Sequence, residues 1–74
     1  MLDNLKEFIL NYVEVEEDAI VPEARFSEDL GFNSYDFMSM LGDIEDEMDI
    51  EIEEDIASKS RTVAELISYL EGIK

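Results

Sequence analysis

From Leu2 the apolar residues fall at Leu2, Leu5, Phe8, Ile9, Tyr12 and Val13, with Lys6, Glu7, Asn11 and Glu14 between them. Spacings of three and four residues place such a set on one face of a helix. From Val15 to Phe32 no period is sustained and the only proline, Pro22, interrupts the chain, yet Ile20, Val21, Phe26, Leu30 and Phe32 are apolar. A loop so long and so hydrophobic is expected to pack on the core, and long loops inside small domains are often functional. Gly31 then breaks the chain, Asn33 and Ser34 are both good N-caps, and Asp36 puts a negative charge where the helix dipole favours one. A second helix starts there. Its core face is Phe37, Leu41, Ile44 and Met48, while Asp43, Glu45, Asp46, Glu47 and Asp49 cover most of the rest. Gly42 inside it weakens the helix by up to about 1 kcal/mol relative to Ala.

Ile50 and Ile52 alternate with Glu51 and Glu53 as a short strand would, but the chain offers no second strand to pair with it. The segment is therefore expected to be a connector that buries two isoleucines. Ile56 and Ala57 predict one short helical turn. Thr62 and Glu65 have the spacing of a capping box, in which each side chain satisfies the other residue's backbone, ahead of Val63, Leu66, Ile67, Leu70 and Ile73. The pattern predicts an all-α fold, a small four-helix bundle of three longer helices and one short one, with a long loop between helices one and two and a single domain over residues 1–74.

Composition narrows the chemistry. A chain of 74 residues buries only about 60% of the surface its unfolded form exposes, which leaves little room for an enclosed active site. With 21 acidic and 5 basic residues the formal net charge is -16, so neither nucleic acid nor an anionic membrane is an expected partner. The chain has no Cys and no His, hence no disulfide, no thiolate, none of the usual zinc ligands and no imidazole base. An apolar share of 46% is too high for an acidic disordered tail. The opening segment carries Asp3, Lys6 and Glu7 within its apolar run, unlike a secretory signal, so a cytoplasmic location and a monomer are expected.

Between Arg25 and Lys59 every charged residue is acidic, and most of these acids fall on helix two and its flanks. Such a face either keeps the protein soluble or docks a basic partner that steers onto it. Asp43, Glu45, Glu47 and Glu54 occupy the first, third, fifth and twelfth positions of a possible calcium loop. Met48 stands where that loop's sharp turn needs Gly, and the helical period runs through the stretch, so no metal site is expected. Without His no serine hydrolase triad can be built, and no enzymatic role is expected. Ser34 nevertheless differs from the other serines, because at the turn into helix two a phosphate attached to it would meet unpaired amides and the positive end of the dipole. It is otherwise simply a cap, as Asn33 is.

The run Glu28-Asp29-Leu30-Gly31-Phe32-Asn33-Ser34-Tyr35-Asp36, the acidic helix after it, Ile50-Glu51-Ile52 and Thr62-Val63-Ala64-Glu65-Leu66-Ile67-Ser68-Tyr69-Leu70 together resemble the acyl carrier protein family over the whole chain. The resemblance implies a non-catalytic four-helix bundle in which Ser34 carries a covalent 4'-phosphopantetheine arm that holds acyl groups as thioesters. It implies as partners a phosphopantetheinyl transferase and the acyl-transferring and acyl-elongating enzymes of fatty acid, polyketide or related biosynthesis, which would present basic patches to Asp36, Glu45 and Asp46 and apolar contacts to Tyr35 and Met38. It also implies shelter for part of the cargo among Leu41, Ile44 and Met48. The family's usual triplet is Asp-Ser-Leu, and here it is Asn33-Ser34-Tyr35. Asn33 drops a charge and Tyr35 replaces an aliphatic anchor with an aromatic, which implies a specialised partner set. Peptidyl carriers look similar but usually have paired glycines where this chain has Gly31 alone, and D-alanyl carriers share the bundle. The rival from another class is an acidic module that binds a basic protein and carries no cofactor.

Overall fold

The computed structural model describes residues 2–73, so Met1 and Lys74, the two ends of the expected domain, lie outside the described residues. Four α-helices follow one another, α1 over Leu2–Leu10, α2 over Ser34–Met48, α3 over Glu54–Ala57 and α4 over Val63–Ile73, and a single 3-10 turn, Glu17–Ala19, interrupts the loop between α1 and α2. Among the described residues there is no strand, only an isolated antiparallel bridge between Arg25 and Thr62. No described helix is long and apolar enough to cross a membrane.

The apolar stripes meet as their spacing dictates. Leu5 and Ile9 of α1, Phe37, Leu41 and Ile44 of α2, and Val63, Leu66 and Leu70 of α4 form one buried cluster, and no polar or charged residue is buried among the described residues. The acids are therefore all at or near water, which is where a chain with this charge must leave them. Two positions of α2 differ from expectation. Met40 is fully buried although its position falls between the chosen core residues, because it lies one turn from both Phe37 and Ile44. Met48 is only half-buried, since α2 ends beside it at Asp49, whose left-handed backbone (φ 54) closes the helix with its N–H on the Glu45 carbonyl.

The long loop packs on the core, as its composition predicts. Ile20, Phe26, Leu30 and Phe32 are buried and Ala24 joins them, whereas Val21 stays largely exposed. Backbone hydrogen bonds tie this loop to the α3–α4 connector: Phe26 N–H to Arg61 O at 2.9 Å, Val63 N–H to Ala24 O at 3.0 Å and Ala64 N–H to Pro22 O at 2.9 Å. The Ile50–Ile52 segment is a connector with Ile52 buried and Ile50 half-buried. Glu45 Oε2 accepts from Ile52 N–H at 2.8 Å and Tyr69 Oη accepts from Glu53 N–H at 2.7 Å, so α2 and α4 both hold its C-terminal end. In the short α3, Ala57 faces the core while Ile56 is about half exposed. The capping box forms: Glu65 N–H donates to Thr62 Oγ1 at 3.2 Å and Thr62 N–H donates to Glu65 Oε1 at 3.1 Å.

Candidate functional site

Ser34 is the first residue of α2 and is exposed. Asn33, not Ser34, is the N-cap, its Oδ1 accepting from Asp36 N–H at 2.7 Å. The serine hydroxyl is thus left out of the capping network. Phe32 and Phe37, on either side of this turn, are buried and pack edge-on with ring centroids 6.5 Å apart, while Phe26 meets Phe37 at 5.0 Å and Phe32 at 5.6 Å. Two buried rings fix the chain before and after the serine, so Asn33, Ser34 and Tyr35 project outward from a rigid base. Gly31 makes the preceding bend at φ 82, a conformation in which a side chain is strained. Tyr35 is 80% exposed, an unusual cost for an aromatic with no packing role.

Beside Ser34 opens a cleft of about 540 Å³ between the start of α2, the long loop and the α3–α4 connector. Phe26, Phe32, Phe37 and Met38 supply its apolar wall, and Asn33 and Ser34 stand on its edge. The opposite side is polar, with Arg25, Glu28, Ser58, Ser60 and Arg61. Arg25 is neutralised locally, its Nη1 lying 2.6 Å from Glu28 Oε2 and its Nε 3.2 Å from Asp29 Oδ2. Hydrogen bonds from the Arg25 side chain and backbone hold the Asp29 carboxyl below its ordinary range, and the same contacts raise Arg25.

The other expected partner residues divide between two places. Asn33, Tyr35, Asp36 and Met38 gather within the first turns of α2 around Ser34. Asp46 lies about 18 Å further along the helix, exposed in a groove that it shares with Glu7, Asn11, Asp43 and Glu47. Glu45 is half-buried and already committed to the Ile52 amide. The structure therefore does not bring Glu45 and Asp46 to the serine; any face that uses all of these residues runs the length of α2. Asp43, Glu45 and Glu47 lie in unbroken helix rather than in a loop. Leu41 and Ile44 are closed off at the centre of the bundle, and neither lines the cleft by Ser34.

Sequence reasoning missed three contributors. Tyr12 crosses from the end of α1 to hydrogen-bond Asp43, and that bond, with burial and the nearby Asp43, Asp36 and Tyr35 groups, pushes its pKa up to about 12. Arg25 and Arg61 were visible only as cations at or near the ends of the acid run; the Arg25–Thr62 bridge is what draws those ends to one cleft.

An exposed serine thus opens α2, flanked by buried rings and lining an open cleft. The sequence matches the family described as phosphopantetheine attachment site over residues 3–70, and the chain belongs to that family. Its members are non-catalytic carriers with a covalent 4'-phosphopantetheine, and they work with phosphopantetheinyl transferases and acyl-handling enzymes. This sets aside the cofactor-free interaction module.

Proposed function

We propose that the protein is an acyl carrier whose Ser34 bears the 4'-phosphopantetheine arm and which delivers acyl groups to enzymes of fatty acid, polyketide or related biosynthesis. The observation that carries the reading is the placement of Ser34: exposed, outside the capping network, and held between the buried Phe32 and Phe37 at the mouth of a cleft. The residues fit such a group, because the hydroxyl is free and the first amides of α2 point out of the helix beside it, where a phosphodiester is stabilised. Ser34 Oγ would bond to the phosphorus proximal to pantetheine in coenzyme A, with adenosine 3',5'-bisphosphate leaving and the hydroxyl proton passing to a base on the transferase. The arm supplies a terminal thiol on which an acyl group is carried as a thioester.

Everything else falls to the chain's own residues. Phe32 and Phe37 keep the attachment turn rigid. Tyr35 and Met38 offer apolar contact beside it, and Asp36 and Asp46 offer charge that draws a basic enzyme patch onto α2. Contacts of this kind are weak and screened by salt, as a carrier that must leave each enzyme requires. Gly31 standing alone upstream favours an acyl over a peptidyl carrier. The attachment is tested by intact mass of the wild type and Ser34→Ala after incubation with coenzyme A, magnesium and a transferase. The cargo class is tested by competition among acyl, aminoacyl and D-alanyl donors for the holo protein, in which preferential aminoacyl loading would count against the acyl reading.

A further inference from the structure

The cleft beside Ser34 gathers two of the few basic residues of the molecule. In a chain with 21 acidic and 5 basic residues, its lining holds two guanidiniums, Arg25 and Arg61, and one carboxylate, Glu28. Arg25 and Glu28 pair with each other at 2.6 Å, and Asp29 holds Arg25 from another side. Arg61 is left over. Among the described residues no carboxylate lies within ion-pair distance of its guanidinium. Its neighbour Glu65 directs Oε1 to the amides of Arg61 and Thr62 and to the Thr62 hydroxyl.

The position of Arg61 is fixed by the backbone and not by chance packing. Its carbonyl accepts from Phe26 N–H at 2.9 Å, and the Arg25–Thr62 bridge secures the residue that follows it. Ser27 and Ser60 line the same cleft, as does Ser58, whose hydroxyl already donates to the Asp55 carbonyl at 3.1 Å. A guanidinium has a fork of N–H donors that matches two oxygens at once, and hydroxyls add donors free to rotate. Together they make the donor set of an oxyanion site in the cleft that Ser34 also lines. Beneath them the Phe26, Phe32 and Phe37 rings interlock and close the way into the bundle.

We propose that Arg61, with the hydroxyls of Ser27 and Ser60, holds an oxyanion presented from Ser34; this rests on Ser34 being the attachment residue. Two sources offer that chemistry, the phosphodiester at the root of the arm and the free carboxylate of a short dicarboxylic acyl cargo.

The test compares four forms of the isotope-labelled protein, each verified by intact mass: apo, holo, butyryl-loaded and succinyl-loaded. The readout is the Arg61 side-chain Nε–Hε resonance, with thermal melting alongside. A shift that arrives with the holo form and persists under both cargoes supports the proposal and assigns the phosphodiester. A shift that arrives only with succinyl supports it and assigns the cargo carboxylate. In either case the form that moves the resonance melts about 2–4 °C higher, Arg61→Gln removes that gain, and Arg61→Lys keeps part of it. A resonance unmoved in every form, or moved equally by butyryl and succinyl but not by the holo arm, overturns the proposal. An arm still added to Ser34→Ala, or never added to the wild type, overturns the attachment reading and this one with it, and mass alone shows that before any resonance is compared.

Discussion

Asn33 and Ser34 stand side by side at the head of α2 with separate tasks, the first closing the helix and the second left free. Asn33→Ala removes an acceptor from the Asp36 amide and is expected to lower stability by about 1 kcal/mol, or about 4–8 °C in Tm for a domain of this size. Asn33→Asp keeps the acceptor, so by thermal melting it should stay near the wild type. Gly31→Ala meets no atom within 4 Å, so its whole effect is the strain of a side chain at φ 82, about 1–2 kcal/mol. Tyr12 gives a pH dependence. Its pKa is raised from 10.0 to about 12, chiefly by the hydrogen bond to Asp43, so the folded state favours the neutral phenol. That contribution is complete below the unfolded value of 10.0 and is lost as pH rises through about 12. Urea unfolding of the wild type and Tyr12→Phe should show a stability gap that closes across this alkaline window; a constant gap would refute the role of the Tyr12–Asp43 bond.

Each helix was legible where local chemistry alone decides it. The stripe of α1 as far as Leu10, beyond which Tyr12 and Val13 leave the helix, the caps at Asn33 and Thr62, and the connector at Ile50–Ile52 are written in spacing and side-chain type. What depended on tertiary closure was not legible. Val21 reads as core until the loop's path turns it outward. The cleft could not be read at all, since its walls come from segments far apart in sequence that only the Arg25–Thr62 bridge and its neighbouring hydrogen bonds unite. Within α2, Gly42 has open space where a Cβ would stand. Gly42→Ala should therefore stabilise the fold by about 0.5–1 kcal/mol, and a destabilised variant by denaturant titration would contradict that. Glu45 shows how structure changes the meaning of a surface acid. Because it holds the Ile52 amide, reversing its charge disturbs the α2–α3 connector as well as the surface field, so it is a poor probe of docking alone.

At the scale of the whole molecule the charge of -16 and the wholly apolar buried core separate two functions. The core holds the bundle, and the acidic surface is the part proposed to meet a basic partner. Asp46, exposed and away from both Ser34 and the connector, is the cleaner probe. Asp46→Lys is expected to slow association with a cognate enzyme several-fold at low salt, with the difference shrinking as ionic strength rises and the melting temperature no lower than the wild type's; equal association rates at low salt would remove Asp46 from the docking face. The central claim is the chemistry of Ser34, and the most direct measurement is intact mass after incubation with coenzyme A, magnesium and a broad-specificity transferase. The account predicts the gain of one phosphopantetheine on the wild type and none on folded Ser34→Ala. An unmodified wild type with several transferases, or a modified Ser34→Ala, would contradict it.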